Sequence, residues 1–285
     1  MLLLQDSETE ISPELQTFLV FLVLIGLASI VISRLYVFFE QVYASWFKRP
    51  FFVHIPFFER EITSEQKTIL SKEFDFYNKL EAKQKKRFEH RLANYLRNKR
   101  FVGREGFEIS EEVQVLISAT AVMLTFGFRN YMLPMVETIL VYPSVFYSTT
   151  NETYHKGEFN PMLRIMALSW EHFVDGYDIS NDNINLGIHE FAHVIHLSSL
   201  KSNDISSIIF AENFKEMTDF LSKNQVLRER LIASEYFRDY AYTNQFEFVA
   251  VIIETFIETP ADFRQQFPML YKKTRQMLNF NFAGY

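Results

Sequence analysis

The hydrophobic pattern divides this chain into a membrane-like segment and a helical domain. Residues 15–33 carry no charge and are dominated by Leu, Val, Ile and Phe. At about 1.5 Å per residue, such a run nearly crosses a ~30 Å hydrocarbon layer. Tyr36, Phe38 and Phe39 follow at once, as expected where a helix leaves a membrane. The stretch 34–60 is aromatic and contains Pro50 and Pro56, which prevent one continuous helix and predict a juxtamembrane connector. Helical spacing is predicted over 64–77 and 79–99, the latter with a stripe of Leu80, Phe88, Leu92 and Leu96, and again over 111–126. The run Thr138-Ile139-Leu140-Val141-Tyr142-Pro143 is the best strand of the chain, readable as a core strand or as an edge for an extended peptide. Helical patterns resume around 189–193, over 219–237 and over 244–258. The predicted organisation is an acidic tail (1–14), a transmembrane helix (15–33), a connector (34–60) and one domain (61–285).

A cleavable signal peptide would begin with basic residues, whereas Asp6, Glu8, Glu10 and Glu14 make this tail acidic. Arg34, Lys48 and Arg49 follow the span and no base precedes it, which predicts a domain on the cytoplasmic side. Around the stripe of 79–99 stand Lys83, Lys85, Lys86, Arg87, Arg91, Arg97, Lys99 and Arg100. They read as a solvated face, with anionic lipid the next candidate and nucleic acid behind it.

Composition narrows the chemistry. A chain of 285 residues that is 48% hydrophobic can bury one sizeable core. The 31 Phe and 14 Tyr against 8 Gly favour a helical, aromatic-packed domain over a turn-rich sandwich. Cysteine is absent, which excludes disulfides, a thiolate metal site and a Cys nucleophile. The net charge of −6 offers no general attraction for nucleic acid, and none is expected as a direct partner.

The most informative residues are His189-Glu190-Phe191-Ala192-His193, an HExxH motif. Residues four apart share a helix face, so both imidazoles can hold one Zn²⁺ while Glu190 faces a water as general base. Asp182 or Asn183 is the expected cap of this helix, and Ile184, Ile188, Ala192 and Ile195 its buried face.

A third protein ligand is needed, and four residues compete. His196 lies two turns, about 10.5 Å, from His189, too far for both to bind one ion; a structural or substrate-facing role remains for it. Glu212 follows His193 by nineteen residues, the spacing of one large group of HExxH aminopeptidases. Glu247 opens an apolar helix, where it also fits a capping box with Asn244. Glu254, two turns on, could equally accept a hydrogen bond from a ligating imidazole.

Several stretches together resemble the family of Mlc titration factor A, zinc-dependent peptidases. They are Val113-Gln114-Val115-Leu116-Ile117-Ser118-Ala119, Ile139-Leu140-Val141-Tyr142-Pro143 and Leu168-Ser169-Trp170. The HEFAH of His189 to His193 comes next, then Tyr240 with Thr243-Asn244 and Glu247, and Thr259-Pro260-Ala261-Asp262-Phe263 before Phe267-Pro268. The resemblance spans roughly residues 60–280 in the family's order. It implies an α+β, mostly helical, zincin-like metallopeptidase domain with one Zn²⁺ per chain held by His189, His193 and Glu247. It also implies Glu190 as the base and Tyr240 as the group that steadies the oxyanion. Where the family has Lys-Leu-Asp after HEFAH, this chain has Val194-Ile195-His196, and the membrane span lies outside the soluble family's pattern.

The expected activity is that of a membrane-anchored zinc peptidase, acting on a peptide or protein substrate, aminopeptidase action included. Two competing readings use the same fold. One is a tethered regulator that binds a protein partner such as a transcriptional repressor, with hydrolysis incidental; the other is a hydrolase of non-peptide amides.

Overall fold

Ser12 accepts a hydrogen bond from Leu15 N and Pro13 takes the first helical position, the chemistry that starts a helix. In the computed structural model, which describes residues 12–54, 59–148, 151–178 and 183–285, helix α1 then runs unbroken over Pro13–Phe47. It ends where Lys48 turns left-handed at φ 53°. The helix is long and apolar enough to cross a membrane, and none of its most apolar stretch is buried. It meets the rest of the chain from Tyr36, whose ring lies 6.0 Å from that of Phe51, and its first buried residue is Glu40.

There both Glu40 carboxylate oxygens pair with the Arg129 guanidinium, one at 2.9 Å. Ala44 packs with Ile205 and Ile209, and Lys48 pairs with Glu216 at 2.8 Å. Much of the expected connector is therefore a continuation of the first helix, docked on the domain. Pro50 follows the helix end, while Pro56 and most of the acidic tail lie outside the described residues.

The next segment holds α2 (Ser64–Glu73), α3 (Asp75–Asn78) and α4 (Ala82–Asn98). Thr63 and Gln66 form a reciprocal capping box on α2. After strand β1 (Arg100–Gly103), Ser110 caps α5 (Glu111–Leu124), which is buried along nearly its whole length. Part of the basic face of α4 has a structural task. Arg91, fully buried, donates to Thr125 O, Phe126 O and Phe128 O at the end of α5 and to Val53 O. Arg87 reaches the Phe126 carbonyl too. These guanidiniums satisfy carbonyls that a helix end leaves unpaired.

Strands β2 (Thr138–Tyr142), β3 (Phe146–Ser148), β4 (Thr153–His155), β5 (Gly157–Asn160) and β6 (Ile165–Ser169) follow. The main sheet has the order β1-β2-β6-β5, with β1, β2 and β6 parallel and β5 antiparallel to β6; β3 and β4 form a separate hairpin. The apolar strand β2 is thus interior, with Ile139 and Val141 fully buried, and it offers no edge. The edge is β5.

Helix α6 (Trp170–Asp178) leads to α7 (Leu186–Lys201), α8 (Ile205–Lys223) and α9 (Gln225–Ala233). A helix expected over 219–237 is instead the end of α8 and all of α9. Asp204 caps α8 through Ser206 N and Ser207 N, and Asn224 breaks the pattern by capping α9. A short 3₁₀ turn (Asp239–Tyr242) precedes α10 (Gln245–Glu258), α11 (Pro260–Gln266) and α12 (Pro268–Met277). The packing of α10 on α7, with α5 behind, forms the centre of an aromatic core that includes Phe126, Phe173, Phe191 and Phe256. The result is a mostly helical α+β domain with one small mixed sheet.

Candidate metal centre

Helix α7 is aimed by its cap. Asn185 accepts from Ile188 N at 3.0 Å, donates to Gly176 O at 2.7 Å, and its own N–H reaches Glu254 Oε2 at 3.0 Å. The cap is therefore Asn185; Asn183, one expected alternative, sits two residues earlier with φ 58°, and Asp182 lies outside the described residues. Ile188, Ala192 and Ile195 are buried as expected, whereas Ile184 precedes the helix and is exposed.

This orientation brings three of the candidate residues together. His189 Nε2 and His193 Nε2 are 3.0 Å apart, and Glu247 Oε2 lies 3.2 Å from the first and 3.5 Å from the second. Asn244 caps α10 through Phe246 N and Glu247 N, but the Glu247 side chain turns to the imidazoles. Glu254, fully buried on the same helix, takes the other role open to it: His189 Nδ1 donates to its Oε1 at 2.6 Å. That bond leaves the lone pair of His189 on Nε2, toward His193 and Glu247. Arg238 holds Glu254 in turn, donating to Oε1 at 2.7 Å and Oε2 at 3.0 Å, and to Asn183 O at 2.8 Å.

Two candidates are elsewhere. Glu212 is on the surface, 3.5 Å from Lys48. His196 is buried among Phe210, Phe214 and Phe246, and burial, with His193 adding, pushes its pKa down to about 4.

The chemistry of the trio fits a metal. Its three ligand atoms lie within 4.8 Å of one another. A tetrahedral ion with bonds of about 2.0–2.1 Å needs ligand atoms roughly 3.3 Å apart. Glu247 Oε2 is buried and has no hydrogen-bond partner despite its short contacts, so the imidazoles alone do not satisfy it. The surrounding charge also calls for a cation. Burial lowers the pKa of His189, but Glu247 and Glu254 outweigh it and raise the group to about 9. Burial pushes Glu247 up, yet the two imidazoles hold its carboxyl well below the ordinary range.

Glu190, the next residue of α7, lines a cleft of about 810 Å³ together with His189, Tyr240, Gly157 and His172. Burial raises its pKa to about 7, with His189 opposing and Glu247, Glu254 and Glu158 adding to the rise. Gly157, the first residue of β5, lies against it: a Cβ there would be 2.5 Å from Glu190 Oε1. The Tyr240 ring stands 6.0 Å from that of His189. Burial, then Glu247, raises its hydroxyl to about 12, so it remains a donor. Below the trio, Phe246 stacks on His193 at 3.9 Å and 2°. Asn185, Arg238, Phe246 and Gly157 escaped the sequence reading; for Arg238 the sole signal was its place two residues before Tyr240.

The comparisons with known proteins agree with this geometry. An uncharacterized protein of Synechocystis sp. is 26% identical over 241 residues, covering 77% of this chain and 85% of that protein. The profile of the glucose-regulated metallo-peptidase M90 family matches residues 54–279, which takes in every element from α2 to α12. With that match over most of its length, the chain belongs to the M90 metallopeptidases, the family of Mlc titration factor A.

Proposed function

We propose that this protein is a membrane-anchored zinc peptidase whose ligands are His189, His193 and Glu247. The observation that carries the reading is the convergence of those three side chains beside a buried Glu190 in a chain of a metallopeptidase family. Zn²⁺ held there supplies a Lewis acid that polarises a carbonyl and lowers the pKa of water to about 7. Glu190 takes the proton of the attacking water on its carboxylate and later returns it to the leaving amine. Its raised pKa suits a group that must both accept and release a proton, and Gly157 leaves it room to do so. The Tyr240 hydroxyl donates to the carbonyl oxygen as charge develops there, a contact whose loss typically costs ~10²–10³ in rate. A substrate backbone extends the sheet along β5, which has one strand neighbour among the described residues and begins at Gly157 beside Glu190. Residues 61–285 form the peptidase domain, α1 supplies the anchor, and the charges after the span put the domain on the cytoplasmic side.

Replacing Glu190 by Gln tests this reading. The full chain in detergent should keep its metal and fold, while cleavage of a broad peptide library falls by at least ~10²-fold. Equal cleavage by wild type and variant would refute catalysis by this motif. A cellular role that survives Glu190→Gln but not loss of the ligands would point to the binding protein instead.

A further inference from the structure

We propose that the turn formed by residues 161–164, at the far end of β5 from the catalytic cleft, is a second contact with the lipid bilayer. The inference rests on the reading of α1 as a membrane span. Met162 and Leu163 are 89% and 65% exposed. The turn that displays them is built: Asn160 Oδ1 accepts from both Met162 N and Leu163 N at 3.1 Å, and Arg164 adopts φ 55°. Two large apolar side chains are thus held outward on an ordered turn, largely uncovered by the described residues.

Their position supplies the partner. Helix α1 leaves the domain at Tyr36, Val37 and Glu40, which line one cavity with Asn203 and Asp204. Asp204 also lines the adjoining cavity, together with Lys201, Ser202, Pro161 and Arg164. The apolar turn is thus on the face from which the anchor departs. From the end of the uncharged run at Ser33 to the docked Glu40 is seven helical residues, roughly 10 Å. The polar layer on each side of the hydrocarbon is about 5–8 Å thick, so this face stands at the bilayer surface. Apolar tips flanked by Lys201, and by Arg164 in its pair with Glu137, suit that boundary, where side chains meet acyl chains and headgroups together. The same strand that ends in the tip begins at Gly157 beside Glu190. Seating the tip therefore fixes the height of the cleft, at most about 13 Å above it for four strand residues.

The chain contains no cysteine, so one introduced thiol can be labelled uniquely. Full-length Met162→Cys, Ile25→Cys and Val226→Cys variants, each carrying a polarity-sensitive fluorophore, are reconstituted in phosphatidylcholine–phosphatidylglycerol vesicles. Val226 is exposed on α9, remote in sequence from this face. The label at 162 should shift to the blue and lose intensity to nitroxide-bearing lipids, as the label at 25 does, while that at 226 does neither. A label at 162 as aqueous as that at 226, with 25 quenched, overturns the second contact and leaves the anchor standing. A blue shift at 162 without lipid quenching means protein covers the tip, which also overturns it. Aqueous labels at both 25 and 162 refute anchor and contact together.

Discussion

Glu254 Oε1 accepts the Nδ1 proton of His189 at 2.6 Å while Arg238 grips both oxygens of the same carboxylate. The bond sets the tautomer and the ring plane of His189, so a residue that touches no metal decides where the Nε2 lone pair points. Glu254→Gln keeps the shape but gives up the charge. It should weaken metal affinity about 10–100-fold, read by competition with a chelator, since partners of this kind typically contribute that much. An affinity equal to wild type would show that His189 is oriented by packing alone.

Gly157 yields a different signature. A methyl group there would also lie 2.7 Å from both Glu190 Cγ and Leu186 Cδ1. Gly157→Ala should displace the Glu190 carboxylate or the edge strand, with an overpacking cost of roughly 1–3 kcal/mol. Peptide cleavage should fall at least tenfold while metal content stays near wild type. Unchanged cleavage would remove Gly157 from the account of the base.

The docking of α1 on the domain has its own pH dependence. Burial opposes ionisation of Glu40, but Arg129 outweighs it and holds the carboxyl below its ordinary 4.5. A lowered carboxyl pKa stabilises the fold above 4.5, and the contribution disappears as pH falls through the lower folded value. At neutral pH Glu40→Gln should cost roughly 1.5–3 kcal/mol, the range for hydrogen bonds to charged groups. In thermal unfolding of the full chain, the margin of wild type over variant should shrink on acidification below 4.5. A margin independent of pH would contradict the pairing.

Arg91 gives the clearest stability test away from the cleft. Its side chain satisfies carbonyls of Thr125, Phe126, Phe128 and Val53 from a fully buried position. Arg91→Met should lower stability by about 3 kcal/mol or more, because the Val53 and Phe128 carbonyls lose their donor, while Phe126 O keeps Arg87 and Thr125 O keeps Phe128 N. A melting temperature close to wild type would mean that water replaces the guanidinium.

What was legible in the sequence follows from how local each signal is. The HExxH spacing and the apolar run of β2 are short-range patterns, and both elements fold as read. Strand β5 was not legible: Gly157-Glu158-Phe159-Asn160 is four half-buried residues with no alternation, and its edge position depends on pairing with β6. The run of β2 is readable from sequence as a core strand or as an edge, and its pairing with β1 and β6 makes it a core strand. The choice among Glu212, Glu247 and Glu254 was equally non-local. Spacing along the chain could not tell that α8 turns Glu212 to Lys48, while the packing of α10 on α7 brings Glu247 to the imidazoles and Glu254 behind them. The basic stripe of α4 looked like a solvated face because charge patterns do not reveal the helix end that Arg87 and Arg91 cover.

The central claim, that His189, His193 and Glu247 together hold the catalytic zinc, is tested most directly by metal analysis of purified full-length variants. Wild type should hold about one Zn²⁺ per chain, retained in Glu212→Gln and lost in both Glu247→Gln and the His189→Ala/His193→Ala double variant. Stoichiometric zinc in the double variant, or loss in Glu212→Gln with retention in Glu247→Gln, would contradict it.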